Sequence, residues 1–147
     1  MTQEERELEK LLIRWRRDMH RFPEGGWCEF RTTAKVAEEL HRLGFNLYLG
    51  EQMVHRDFIY GRPEKKRIEW HRHRAQAQGA NPEWLGMLQE CTGVTGVLHT
   101  KRPGPVTAFR FDMDAVQISE SESHEHKPFP RRSLPERVCV RGFRIPK

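Results

Sequence analysis

Apolar positions recur at helical spacing in the first stretch of the chain. Leu8, Leu11, Leu12, Trp15 and Met19 fall on one face, and Thr2 followed by Glu5 has the form of a capping box, so a helix is predicted from Thr2. It should stop near Phe22, because Pro23 disfavours helical geometry in the residue before it and Gly25-Gly26 follow. A second helix is predicted over roughly Arg31 to Leu43, with Val36, Ala37, Leu40 and Leu43 inward and Gly44 as its C-terminal cap. FNLYL, 45 to 49, reads as a strand.

From Gly50 to Glu90 the pattern turns polar. GRPEKKRIEWHRHRAQAQG suggests an exposed helix after Pro63, and NPEWLGMLQ a shorter one after Pro82. VTGVLHT, KRPGP and VTAFRFDM read most simply as two antiparallel strands joined by a Gly/Pro turn. Helix, helix, strand, helices, strand, strand is an order that fits an α/β layer fold. Internal repeats and low-complexity tracts are absent from the sequence.

Composition sharpens this picture at one end. The 147 residues are 36% hydrophobic and 32% charged, enough for one domain with a modest core. The formal charge is +5, and residues 130 to 147 account for all of it, with Arg131, Arg132, Arg137, Arg141, Arg144 and Lys147 set against Glu136. The body of the chain, 1 to 129, is therefore electrically neutral, which argues against nucleic acid as its partner. The tail, with its prolines and sparse apolar residues, is expected to be disordered. Cys28, Cys91 and Cys139 are widely spaced and form no Cys-x-x-Cys pair, so neither a disulfide framework nor a structural zinc site is expected. Cys28 and Cys91 read as half-buried thiols. Reduced thiols, a charged N-terminus and the lack of a membrane-length apolar run point to the cytoplasm.

The candidate chemistry lies in FRFDMDAV, 109 to 116. Alternation along a strand puts Arg110, Asp112 and Asp114 on one face and Phe109, Phe111 and Met113 on the other. Two carboxylates close together in a low-dielectric site need a metal, an arginine or a shared proton, whereas at an exposed strand end they need none of these. Both readings stand on spacing alone. His124, Glu125 and His126 carry metal-donor chemistry, although three neighbours in an irregular segment more often form a solvated loop. His71 and His73, two apart on a helix, point to different faces and are expected in solvent. The sequence holds neither a phosphate-binding glycine loop nor a serine nucleophile motif.

Four segments in order, RRDMHRFPEGGWCEFRTTAKVAEELHRLGF, TGVTGVL, RPGPVTAFRFDMDAV and SESESHEHKPF, resemble the N-terminal part of metal-dependent amidohydrolases of the aminoacylase and carboxypeptidase-G type. The resemblance covers residues 1 to about 129. It implies the N-terminal part of a three-layer helix/sheet/helix catalytic domain, incomplete here, followed over 130 to 147 by a basic tail foreign to the family. It further implies a zinc or manganese pair in the full-length enzymes, and N-acyl amino acids as substrates, with aromatic acyl and glutamate halves best supported. Asp112 and Asp114 match the family's Asp-Met-Asp and would sit beside the metal pair as carboxylates supporting its ligands. The family's ligand segment His-Ala-Cys-Gly-His-Asp, its Glu-Glu pair and its later histidines are absent from these 147 residues.

No cofactor and no activity are therefore expected of the chain itself, and a frameshifted or truncated gene is the expected origin of the tail. As partners, the resemblance suggests a second hydrolase subunit or a further copy of the chain. The alternative is a small non-catalytic protein whose basic tail binds an anionic partner.

Overall fold

The first helix follows from its ends. In the computed structural model, which describes residues 1 to 116, α1 runs Gln3–Arg21. The Thr2 hydroxyl accepts the Glu5 N–H at 3.2 Å, and the Glu5 carboxylate accepts the Thr2 N–H at 2.7 Å, closing the expected box. Phe22 caps the other end, and none of the residues of α1 is buried. Met1–Pro23 belongs to one compact unit and Glu24–Ala115 forms another.

The second unit holds the core. Helix α2 spans Phe30–Arg42, β1 Asn46–Leu49, α3 Lys65–Ala77, α4 Pro82–Leu88 and β2 Val94–Val97. Two single 3-10 turns, Gly50–Gln52 and Arg56–Phe58, connect β1 to α3. Gly44 at φ 84° lets the chain leave α2, its N–H reaching the His41 carbonyl while the Phe45 N–H reaches that of Leu40. Phe30, Ala34 and Ala37 of α2 pack with Leu49, Ile68, Ala75, Ala80, Leu85 and Leu88. Leu43, expected inward, is 55% exposed, and Val36 and Leu40 are half-buried. Six positions beyond Ala37 is a rotation of roughly 240°, at about 100° per residue, away from the buried stripe.

Two further expectations change. Helix α3 is not merely a solvent helix: Ile68, His71 and Ala75, at i, i+3 and i+7, form an inward stripe, so His71 is 2% exposed while His73 remains in solvent. Furthermore, β2 pairs with β1 and not with VTAFRFDM. The ladder is antiparallel, Asn46 opposite Val97 and Leu49 opposite Val94. Residues 98 to 116 form no helix or strand. The pairing that wins is the one that lays β2 over α2, where Gly96 leaves room for the Phe45 and Leu40 side chains. The result is α/β, helices with a small antiparallel sheet. No helix among the described residues is long and apolar enough to cross a membrane.

Candidate functional site

The two carboxylates singled out in the sequence sit in a segment that keeps the side-chain alternation of a strand but, among the described residues, has no neighbouring strand. On one side the Arg110 guanidinium meets the Asp112 carboxylate at 2.6 Å, with side chains 86% and 66% exposed. On the other side the Phe109 and Phe111 rings stack with centroids 6.4 Å apart. The low-dielectric surroundings that would have forced a metal or a shared proton on the acids are absent, because Asp112 and Asp114 are both exposed.

Asp114 is nevertheless placed. The Ala115 N–H donates to the Glu24 carbonyl at 2.7 Å, and a Cβ added to Gly26 would stand 3.9 Å from an Asp114 carboxylate oxygen. The Asp-Met-Asp-Ala segment therefore returns to the Pro-Glu-Gly-Gly loop, about ninety residues earlier, joining two of the segments that carry the family resemblance. In that loop Trp27 adopts φ 63° and its indole N–H donates to the Tyr60 carbonyl at 2.9 Å. A non-glycine residue held in the left-handed region costs of order 1 kcal/mol or more and persists only where its surroundings fix it.

Beneath the loop lies a buried polar cluster that sequence reasoning missed. The residue preceding α2, Glu29, makes no side-chain cap bond to it. Instead the buried Glu24 carboxylate accepts the N–H groups of Arg31 at 3.0 Å and Thr32 at 2.7 Å, the two first-turn donors a capping side chain ordinarily serves. Its negative charge also faces the positive end of the helix dipole. Burial pushes the Glu24 carboxyl above its usual range, opposed by those hydrogen bonds and by the charge of Arg74. Glu29 accepts the Thr92 hydroxyl at 2.6 Å, and Arg31 donates to the Gln78 carbonyl at 3.0 Å. The absence of a good capping residue before Phe30, together with a glutamate framed by Pro23 and Gly25, was the available sequence signal.

The remaining candidates separate cleanly. Cys28 and Cys91 are fully rather than half-buried, and burial raises the Cys28 thiol above its ordinary value, which leaves it a poor nucleophile. His71 is pulled down to about 4 by burial, with the Arg74 and Arg67 charges adding to the shift. An open groove of about 710 Å3, lined in part by His41, Phe45, Leu47, Trp84 and Met87, includes none of the acids discussed. Among the described residues there is no group of three or more His, Cys, Asp or Glu able to hold a metal ion. With Asp112 engaged by Arg110, these residues do not fit a zinc or manganese pair on their own. His124, Glu125, His126, Cys139 and the tail lie outside the described residues.

Known proteins similar to this chain are hydrolases. No family model matches the chain. Over 119 residues it is 44% identical to a p-aminobenzoyl-glutamate hydrolase chain of Escherichia coli, covering 80% of this chain and 27% of that protein. It is also 44% identical over 125 residues to indole-3-acetyl-aspartic acid hydrolase of Enterobacter agglomerans, covering 84% and 29%. The crystal structure of an aminobenzoyl-glutamate utilization protein from Klebsiella pneumoniae superposes with a TM-score of 0.73 at 43% identity, over 76% of this chain and 28% of that one. The chain thus spans between a quarter and a third of the length of these relatives and is homologous to their N-terminal part, in sequence and in fold. The homology does not favour the alternative of a small anion-binding protein.

Proposed function

We propose that this chain corresponds to the first part of an amidohydrolase that splits the amide between an aromatic acyl group and an acidic amino acid, releasing the aromatic acid and the amino acid. The observation that carries this is the 44% identity to two hydrolases whose named substrates, p-aminobenzoyl-glutamate and indole-3-acetyl-aspartate, share that chemistry and differ in both halves. The zinc or manganese pair of the full-length enzymes would be held by side chains other than Asp112 and Asp114. In this reading Asp114, held beside the Glu24–Gly26 loop, is a positioning residue and Asp112 a charged neighbour paired with Arg110. Activity belongs to the whole enzyme, working together with a second hydrolase subunit, and not to these 147 residues.

A chimera tests this directly. The matched residues of this chain replace those of the Escherichia coli protein, and hydrolysis of p-aminobenzoyl-glutamate is measured with zinc or manganese. The chimera is expected to turn over, and Asp114→Ala in it to lower kcat with KM nearly unchanged, while the 147-residue chain alone gives nothing above a metal-only blank. A folded but inactive chimera refutes the assignment. Turnover by the isolated chain, lost on Asp114→Ala, refutes the claim that activity needs the remainder.

A further inference from the structure

Among the described residues the segment Phe109–Met113 has no neighbouring strand, yet Phe109 stacks on Phe111 and Arg110 pairs with Asp112, the i, i+2 alternation of a strand, and its sequence is complementary to itself. Phe109 is 80% and Phe111 81% exposed, among the largest apolar exposures of the described residues. Arg110 and Asp112 share the opposite side and already pair within the chain. We infer that two copies of the chain associate through this segment, antiparallel, about a two-fold axis at Phe111.

Register singles out that axis. Directly opposed residues in an antiparallel pair lie on the same side of the ribbon, with Cβ atoms roughly 4.5–5.5 Å apart. Centred on Phe111, Arg110 faces Asp112 of the second copy and Asp112 faces its Arg110, while Phe109 faces Met113 and Phe111 faces itself. All the aromatic and thioether side chains then gather on one side and both ion pairs on the other. Centred on Arg110, two guanidinium groups oppose each other. Centred on Asp112, two carboxylates do. Any register shifted by a half-step sets charged residues opposite phenylalanine and mixes the two sides. The contact is isologous, as a closed dimer requires. The Ala115 N–H is already used by Glu24, so the ladder ends at Met113 and is about five residues long. A ribbon that short is marginal in water, so the dimer is weak, with a dissociation constant roughly between 1 μM and 1 mM.

Charge reversal provides the test, on exposed side chains that no core contact depends on. The full 147-residue chain is followed by sedimentation velocity through a concentration series reaching about 1 mM. A monomer–dimer equilibrium is expected. Asp112→Arg or Arg110→Asp alone turns both cross-strand attractions into repulsions and should raise the dissociation constant about tenfold or more. The double reversal, Arg110→Asp with Asp112→Arg, restores both pairs and should bring it back to within about threefold of the parent. A chain monomeric throughout, single reversals without effect, a double reversal that fails to recover, or open-ended aggregates indifferent to these charges would each overturn the inference.

Discussion

Acidification should weaken this fold through His71, by an amount that can be worked out. In the unfolded chain the imidazole titrates at about 6.5, and in the folded one burial on the inner face of α3 and the charges of Arg74 and Arg67 hold it at about 4. Above the unfolded value both states are neutral and the group contributes no pH dependence. As pH falls from about 6.5 toward 4 the unfolded chain takes up a proton that the folded one refuses, so stability declines through that window. The difference in proton affinity gives about 2 kcal/mol at pH 5, and solvent screening reduces this to about 1–2 kcal/mol. Glu24 acts in the opposite sense: its raised carboxyl favours the folded state below its folded value, and that contribution disappears as pH rises above 4.5.

The parent chain should therefore show the difference of two opposing slopes, and His71→Leu, which cannot titrate, should leave the Glu24 slope alone. Urea unfolding at a series of pH values, followed by the fluorescence of the four tryptophans, three of which, Trp27, Trp70 and Trp84, lie in the second unit, reads this out. The variant is expected to be less acid-sensitive than the parent by about 1–2 kcal/mol between pH 7 and pH 5. Parallel stability–pH curves for the two proteins would show that His71 does not resist protonation in the folded state, and the reasoning from burial would fail.

Other substitutions probe the same unit. Glu24→Ala leaves two buried first-turn N–H groups of α2 without their acceptor and should cost about 2–5 kcal/mol in urea unfolding, whereas Glu24→Gln keeps one acceptor oxygen and should cost roughly half as much. A loss below about 1 kcal/mol for Glu24→Ala would show that the carboxylate is not the cap of α2. Gly50→Ala places a Cβ 2.6 Å from the Leu88 carbonyl oxygen at φ 53° and should destabilise by about 2–4 kcal/mol. Gly44→Ala, at φ 84° but facing open space, should cost only about 1 kcal/mol, and equal losses at both sites would remove the steric argument.

What was legible in the sequence was local. The Thr2–Glu5 box, the Pro23 stop and the Gly44 turn depend on residues within one helical turn of each other, and α1 and α2 were read nearly to the residue. Helix α3 is legible as a helix but its buried stripe is not, because Ile68 is the single strong apolar residue of that stripe and the other two positions are a histidine and an alanine. The partner of β2 is not legible, since the nearer candidate, VTAFRFDM, offers the simpler hairpin, whereas the ladder goes to β1, some forty-five residues earlier. The acids of the candidate site are visible as a pair, but it is the four segments in order, and not the Asp-Met-Asp alone, that carry the resemblance to the hydrolases found. The meeting of the acids with Glu24–Gly26 was not visible, since a carbonyl-to-amide bond across the whole unit leaves no mark on either stretch of sequence.

That bond joins the first residue of the second unit to its last, Glu24 to Ala115. A unit whose ends touch can in principle be cut and rejoined elsewhere: a short peptide bridging 115 to 24 would close the ring, and new ends could be opened at an exposed turn such as 101 to 104. Closing a loop of this length costs the free chain about 4 kcal/mol of entropy, which the folded unit has already met by other contacts. The same adjacency makes residues 24 to 115 suited to grafting as a cassette into the surface loop of another protein, entering and leaving the host at nearly one point.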